Sequence, residues 1–149
     1  MARAEEAGIG HMLTICTRVT KFDAVRVIAE KYDNVFCTVG VHPHNAEDEP
    51  EVTAEHLIRL AEHPKVVGFG ETGLDFHYDN SPRDVQEASF RVHIEAARQT
   101  GLPIIVHTRE ADEKTIEILL EEHDKGPFSG LIHCYTAGPE MARVALHIG

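Results

Sequence analysis

VVGFGETGLD, Val66 to Asp75, decides the architecture. Its apolar run reads as a short buried strand that ends in a carboxylate, Glu71, before a tight glycine turn. Two later stretches repeat the arrangement with histidine. LPIIVH (Leu102–His107) is an apolar run ending in His107, and GLIH (Gly130–His133) is one ending in His133. Glu71 and His107 are 36 residues apart and His107 and His133 are 26 apart, and each interval has room for a helix and two loops. Parallel strands joined by helical crossovers bring their C-terminal ends to one face of a sheet or barrel. Glu71, His107 and His133 therefore converge in such a fold. A Glu or His alone at a strand end is more often a hydrogen-bonded loop residue than a ligand. Three at equivalent positions point to a metal, and carboxylate plus imidazole suits zinc, manganese, nickel or iron.

Working outward, the whole chain alternates. Met1–Ala7 has helical character and is stopped by Gly8 and Gly10. MLTICT (Met12–Thr17) is β-rich, and Lys21–Lys31 carries Phe22, Val25, Ile28 and Ala29 on one helical face. Asn34–Val41 is the next strand, and Thr53 is placed to cap a helix with Leu57, Leu60 and Ala61 inward. Ser81-Pro82 with Asp84 opens a helix that runs to about Gln99, where Gly101 and Pro103 end it. A helix near Ala111–Glu122 is expected to bury Ile116, Leu119 and Leu120. Pro139 opens a last helix through Met141, Val144 and Ala145. Five strands alternating with helices predict an α/β fold with parallel strands. An open doubly wound sheet and part of a (β/α)8 barrel both satisfy the pattern. A whole barrel takes about 250 residues. The start inside a helix and the stop before a strand favour an interior piece of a larger fold.

Composition narrows the classes. At 149 residues, 42% hydrophobic and 26% charged, the chain can bury a sizeable core as one domain, residues 1–149. No apolar run approaches a membrane span, and the first residues lack a signal-peptide core. Cys16, Cys37 and Cys134 are odd in number and form no CxxC, which fits a reducing, cytoplasmic compartment. A net charge of −11 argues against passive nucleic-acid binding, but not against a phosphate ester held by a metal. There is no GxGxxG opening a helix, no P-loop and no GxSxG elbow.

The remaining chemistry-bearing residues are weighed against plain roles. His42 and His44, split by Pro43 in the loop after Asn34–Val41, suit substrate contact or support of the ligands, direct metal ligation, or a plain hydrogen-bonding role in the loop. Asp75 either orients a ligand or forms a turn. His77 and Tyr78 lie in the same strand-end loop, where substrates bind. Arg109 has the fork geometry to grip a phosphate. Cys134, next to His133, is expected on the opposite face as a core thiol. His93 reads as a satisfied helix histidine.

TVGVHPH (Thr38–His44), VVGFGETGLDFHY (Val66–Tyr78), GLPIIVHTREAD (Gly101–Asp112) and GLIHCYTAG (Gly130–Gly138) together resemble the TatD-family metal-dependent deoxyribonucleases, within the amidohydrolase-like metallo-barrels. The resemblance covers nearly the whole chain. It implies a partial TIM-type (β/α)8 barrel of about five βα units, lacking the first strand and the last two. It also implies a site for two divalent metals (Mg, Mn or Zn) at the C-terminal mouth, with DNA as substrate. By motif, Glu71 resembles the carboxylate shared by both metals, and His107 and His133 resemble ligands of the second. The family's first-strand His-x-His pair and terminal catalytic Asp have no counterpart here. At most one metal is therefore expected on this chain, with weak activity at best. No obligate protein partner is implied, and open barrel edges are expected to self-associate. The alternatives are a metallo-barrel hydrolase of another small phosphoester or amide, and a non-catalytic α/β module.

Overall fold

The computed structural model describes residues 1–149. Strands β1 (Met12–Thr14), β2 (Val35–Val39), β3 (Val66–Asp75), β4 (Ile104–Arg109) and β5 (Gly130–Ile132) form one parallel sheet in the order β1-β2-β3-β4-β5. Helix α1 (Ala2–Glu6) precedes the sheet. Helices α2 (Phe22–Glu30), α3 (Ala54–Ala61), α4 (Arg83–Thr100), α5 (Asp112–Asp124) and α6 (Pro139–Ile148) each follow a strand. Spatial order equals chain order, with no reversal. A doubly wound sheet needs a switch point where the order reverses, so the partial (β/α)8 barrel is the fold. No helix is long and apolar enough to cross a membrane.

The core lies between strands and helices. Phe69, Leu74 and Ile104 from the sheet meet Leu57, Phe90, Ile94 and Ile118 from the helices, all fully buried. Thr53 caps α3 as expected, its hydroxyl accepting the His56 N–H at 3.2 Å. Ser81 does not cap α4. Its hydroxyl accepts the Glu47 N–H at 3.1 Å, tying the loop after β2 to the start of α4, and Pro82 forms the helix boundary. The buried stripe of α5 is Thr115, Ile118, Leu119 and Glu122, an i, i+3, i+4, i+7 set, whereas Leu120 is exposed and Ile116 half-buried. Hydrophobicity alone misplaced that face because a carboxylate completes it. Glu122 accepts from Arg91 Nη1 (2.9 Å), Arg98 Nη1 (3.4 Å) and Lys125 Nζ (2.7 Å), joining α4 to α5.

Strand β3 departs most from the expectation. It does not stop at Glu71 but continues to Asp75, and β4 likewise runs past His107 to Arg109. Phe69 pairs with Ile104 and Thr72 with Val106, so β3 fits three steps against two of β4. This is a bulge, which re-aims side chains without ending the strand. Beyond it the register is regular, Gly73 opposite His107 and Asp75 opposite Arg109.

His93 is fully buried on α4 and has both ring nitrogens occupied. Nε2 accepts the Val41 N–H at 3.0 Å and Nδ1–H donates to the Ser89 carbonyl at 2.7 Å. The ring thus pins the backbone just before His42. Burial pushes its pKa from 6.5 down to about 4. Between these values the unfolded chain binds a proton that the folded chain does not. The contribution is therefore complete above pH 6.5 and is lost as pH falls towards 4. It amounts to about 3 kcal/mol at 1.36 kcal/mol per pH unit. Urea unfolding at pH 7.5, 6 and 5 should show this slope in the wild type and a flatter one in His93→Gln.

Candidate metal centre

Beyond the bulge, period two along β3 puts Gly73 and Asp75 on one face, and the bulge itself turns Glu71 to the same side. His107 stands opposite Gly73. Its imidazole lies over the position without a side chain and bridges the two carboxylates. Nδ1–H donates to Glu71 Oε1 at 3.3 Å and Nε2–H donates to Asp75 Oδ2 at 2.9 Å. His133, one residue past β5, is held by its N–H to the Val106 carbonyl at 2.8 Å. Its Nδ1 reaches the same Glu71 Oε1 at 3.0 Å. The three strand-end residues thus converge, with Glu71 between the imidazoles. Glu71 is fixed from behind as well, its N–H donating to the Cys16 carbonyl at 3.0 Å beyond β1.

The protonation states follow from these bonds. The hydrogen bond from His107, and then that from His133, hold Glu71 well below the usual carboxylate range despite its burial. Burial alone favours a neutral His107, but the bonds to Glu71 and Asp75 outweigh it and raise its pKa. Burial, with His107 alongside, lowers the pKa of His42, so that ring is neutral at pH 7. Burial opposes ionisation of Asp75, yet the Tyr78 N–H, His107 and His44 bring its pKa down to about 2.

His42 lies closer to the centre than a loop contact requires. A ligand atom each from His42, Glu71 and His107 lie within 4.8 Å of one another, and the His42 and His107 ring centroids are 4.5 Å apart. His42 Nδ1, however, accepts the His44 N–H at 3.2 Å. The neutral ring then presents Nε2–H, a donor, to the centre. His44 donates from Nε2 to Asp75 Oδ2 at 2.9 Å. Asp75 Oδ1 accepts the N–H groups of His77 (3.1 Å) and Tyr78 (3.0 Å). Asp75 thus both orients an imidazole and forms a turn.

His77, Tyr78 and Arg109 form an outer ring. His77 Nδ1 meets Glu110 Oε1 at 2.7 Å, and the Arg109 guanidinium lies over Tyr78 at 4.8 Å. Neither His77 nor Arg109 hydrogen-bonds to Glu71, His107 or His133. Cys134 is not in the core. It is exposed with φ +48°, because β5 has already ended at Ile132 and strand alternation no longer applies. It lines a cleft of about 560 Å³ with His107, Thr108, Arg109, Glu110, His133 and Thr136.

Sequence reasoning missed Gln86. Fully buried on α4, it accepts the Asp75 N–H at 2.8 Å and donates to the Asp75 and Ser81 carbonyls at 3.3 and 2.8 Å. Its signal was a polar residue in the stripe Gln86, Phe90, His93, Ile94, Ala97, where solvent cannot satisfy it.

The donors of His42, Glu71 and His107 lie close enough together to hold a metal ion, and His133 reaches that group through Glu71 alone. One ionised carboxylate oxygen faces two imidazole Nδ1 atoms, and Asp75 holds the far nitrogen of His107, the outer support that ligating histidines generally have.

Known proteins share the sequence and the fold. The family model described as TatD related DNase matches residues 1–149. An uncharacterized metal-dependent hydrolase, YabD, of Bacillus subtilis is 42% identical over 114 residues, 76% of this chain and 44% of the relative. The 3'-5' ssDNA/RNA exonuclease TatD of Shigella flexneri is 34% identical over 149 residues, all of this chain and 57% of the relative. The crystal structure of YJJV, a TatD homolog of Escherichia coli, superposes with a TM-score of 0.87 at 27% identity, over 99% of this chain and 57% of that one. The chain spans about half the length of the curated relatives it matches. With five parallel strands delivering a Glu–His–His set and a family match from end to end, the chain belongs to the TatD related DNase family of metal-dependent hydrolases.

Proposed function

We propose that residues 1–149 carry the metal-binding core of a hydrolase that cleaves phosphodiester bonds in single-stranded nucleic acid, with DNA as the favoured strand, in an exonuclease-like manner. The observation that carries this reading is the convergence of His107 Nδ1 and His133 Nδ1 on Glu71 Oε1. Several relatives, named 3'-5' ssDNA/RNA exonucleases, support the substrate class. Glu71, His107 and His133 are the ligands, for Mn or Zn in preference to Mg, since two imidazoles disfavour a hard cation. A divalent ion bound there supplies Lewis-acid polarisation of a phosphoryl oxygen and an acidified water.

The chain's own residues do the rest. Asp75 keeps His107 turned so that Nδ1 faces Glu71. His42, its Nδ1 engaged by the His44 N–H, offers Nε2–H to a phosphate oxygen. Arg109, which forms no ion pair, grips a second phosphate oxygen. One metal is assigned to this chain, and turnover is expected to be slow. Three free thiols suit a reducing, cytoplasmic setting.

The test is calorimetric titration with manganese and zinc, followed by incubation with a 3'-labelled single strand. Saturable binding and slow, EDTA-sensitive release of nucleotides are expected. No saturable binding, equal cleavage in EDTA, or cleavage only of a small phosphodiester such as bis-p-nitrophenyl phosphate overturns the reading.

A further inference from the structure

Just outside the centre stands an aromatic group that no packing requirement explains. Tyr78 is 54% exposed, and no hydrogen bond holds its hydroxyl. Exposed aromatics usually sit on mobile side chains, but this one is held in place. Its backbone N–H and that of His77 are fixed by Asp75 Oδ1, on the carboxylate whose Oδ2 orients His44 and His107. The His44 and His77 rings contact the Tyr78 ring edge-on, with centroids 5.4 and 4.6 Å away. Arg109 lies over the ring at 4.8 Å. Its guanidinium forms neither a salt bridge nor a hydrogen bond, in a chain of net charge −11. A flat, exposed ring and a planar cation with unused donors are thus rigidly coupled to the ligand set.

A nucleobase is the group whose chemistry uses both. Its π-face stacks on tyrosine or guanidinium whatever the base identity, and the attached phosphate takes the free donors of Arg109. We infer that Tyr78 and Arg109 form a stacking platform for an unpaired base next to the scissile linkage. The platform selects single strands, because a base inside a duplex has no free face to offer. This inference rests on the nuclease reading above and assigns the structural origin of its strand preference.

The probes are two fluorescent octamers with phosphorothioate linkages that resist cleavage, used with manganese. One is oligothymidylate. The other carries the same backbone charge as abasic deoxyribose units. Anisotropy titration of the wild type should show about tenfold tighter binding of the thymidylate, since one stacked base contributes about that factor. Tyr78→Ala should erase the difference by weakening thymidylate binding alone, and Tyr78→Phe should retain it. Arg109→Ala should weaken both strands. A Tyr78→Ala loss shared by both strands, or by neither, overturns the platform, as does equal binding of the two strands by the wild type. If the wild type binds neither strand, the nuclease reading falls with it. Binding without dependence on Tyr78 removes the platform alone.

Discussion

Glu71→Gln is expected to lower manganese affinity at least about a hundredfold and to abolish metal-dependent hydrolysis while leaving the fold intact. Removing only an outer partner of a ligand typically costs 10- to 100-fold, and Glu71 sits at the centre. Its Oε1 is the one atom that both His107 Nδ1 and His133 Nδ1 reach. Asp75 does not replace it, because Oδ2 is turned to the other side of His107 and Oδ1 is committed to the loop. Glutamine keeps the volume and one acceptor oxygen, so circular dichroism and the melting temperature of the metal-free protein should change little. The charge is what disappears. His107 owes its raised pKa in part to Glu71, so its imidazole NMR titration should move to lower pH in the variant. Unchanged calorimetric binding, or an unmoved His107 titration, would remove Glu71 from the centre.

The largest loss of stability is expected from Gly73→Ala, about 3 kcal/mol or more, with a fall in Tm of roughly 10 °C for a domain of this size. Gly73 has φ +131°, a region that L side chains rarely adopt, and an added Cβ would lie 2.1 Å from the His107 carbonyl oxygen. The obstacle is backbone, so no rotamer change relieves it. The chain must open the Gly73–His107 pair, and Leu74–Thr108 and Asp75–Arg109 follow in the same ladder. Gly101→Ala is the control. It too has positive φ, +76°, but nothing lies within 4 Å of the added atom. Its cost should stay near 1 kcal/mol, the local backbone penalty alone. Thermal melts of both variants beside the wild type separate clash from conformational preference.

The strands and their order were legible because each apolar run is short, bounded by glycine or proline, and separated from the next by helical spacing. Convergence of Glu71, His107 and His133 followed from that topology without knowledge of any distance. The bulge between Phe69 and Thr72 was not legible. A glycine pair within an apolar run reads equally as a turn, and only pairing with β4 shows that one extra residue is absorbed. The same gap hid the arrangement around Asp75, whose two oxygens serve four donors from three loops or strands. Cys134 was misplaced for a related reason. Alternation extrapolates a strand past its end, whereas β5 stops after three residues. Gln86 and Glu122 were overlooked because polar residues on helices default to solvent, whereas Gln86 is satisfied by the loop just before its own helix and Glu122 by arginines of the preceding helix.

The neighbour-by-neighbour order of the sheet has a kinetic side. Each ladder closes a loop of one βα unit, so the low-contact-order route grows outward from β3 and β4, the pair with the longest shared register. The His133 N–H bond to Val106 closes the last ladder, which holds three residue pairs. Local opening there needs few bonds to break, so the His133 end of the site should open more readily than the Glu71–His107 pair. Were a divalent metal held there, Glu71 and His107 would be its standing partners, and His133 would complete the set only while β5 is closed.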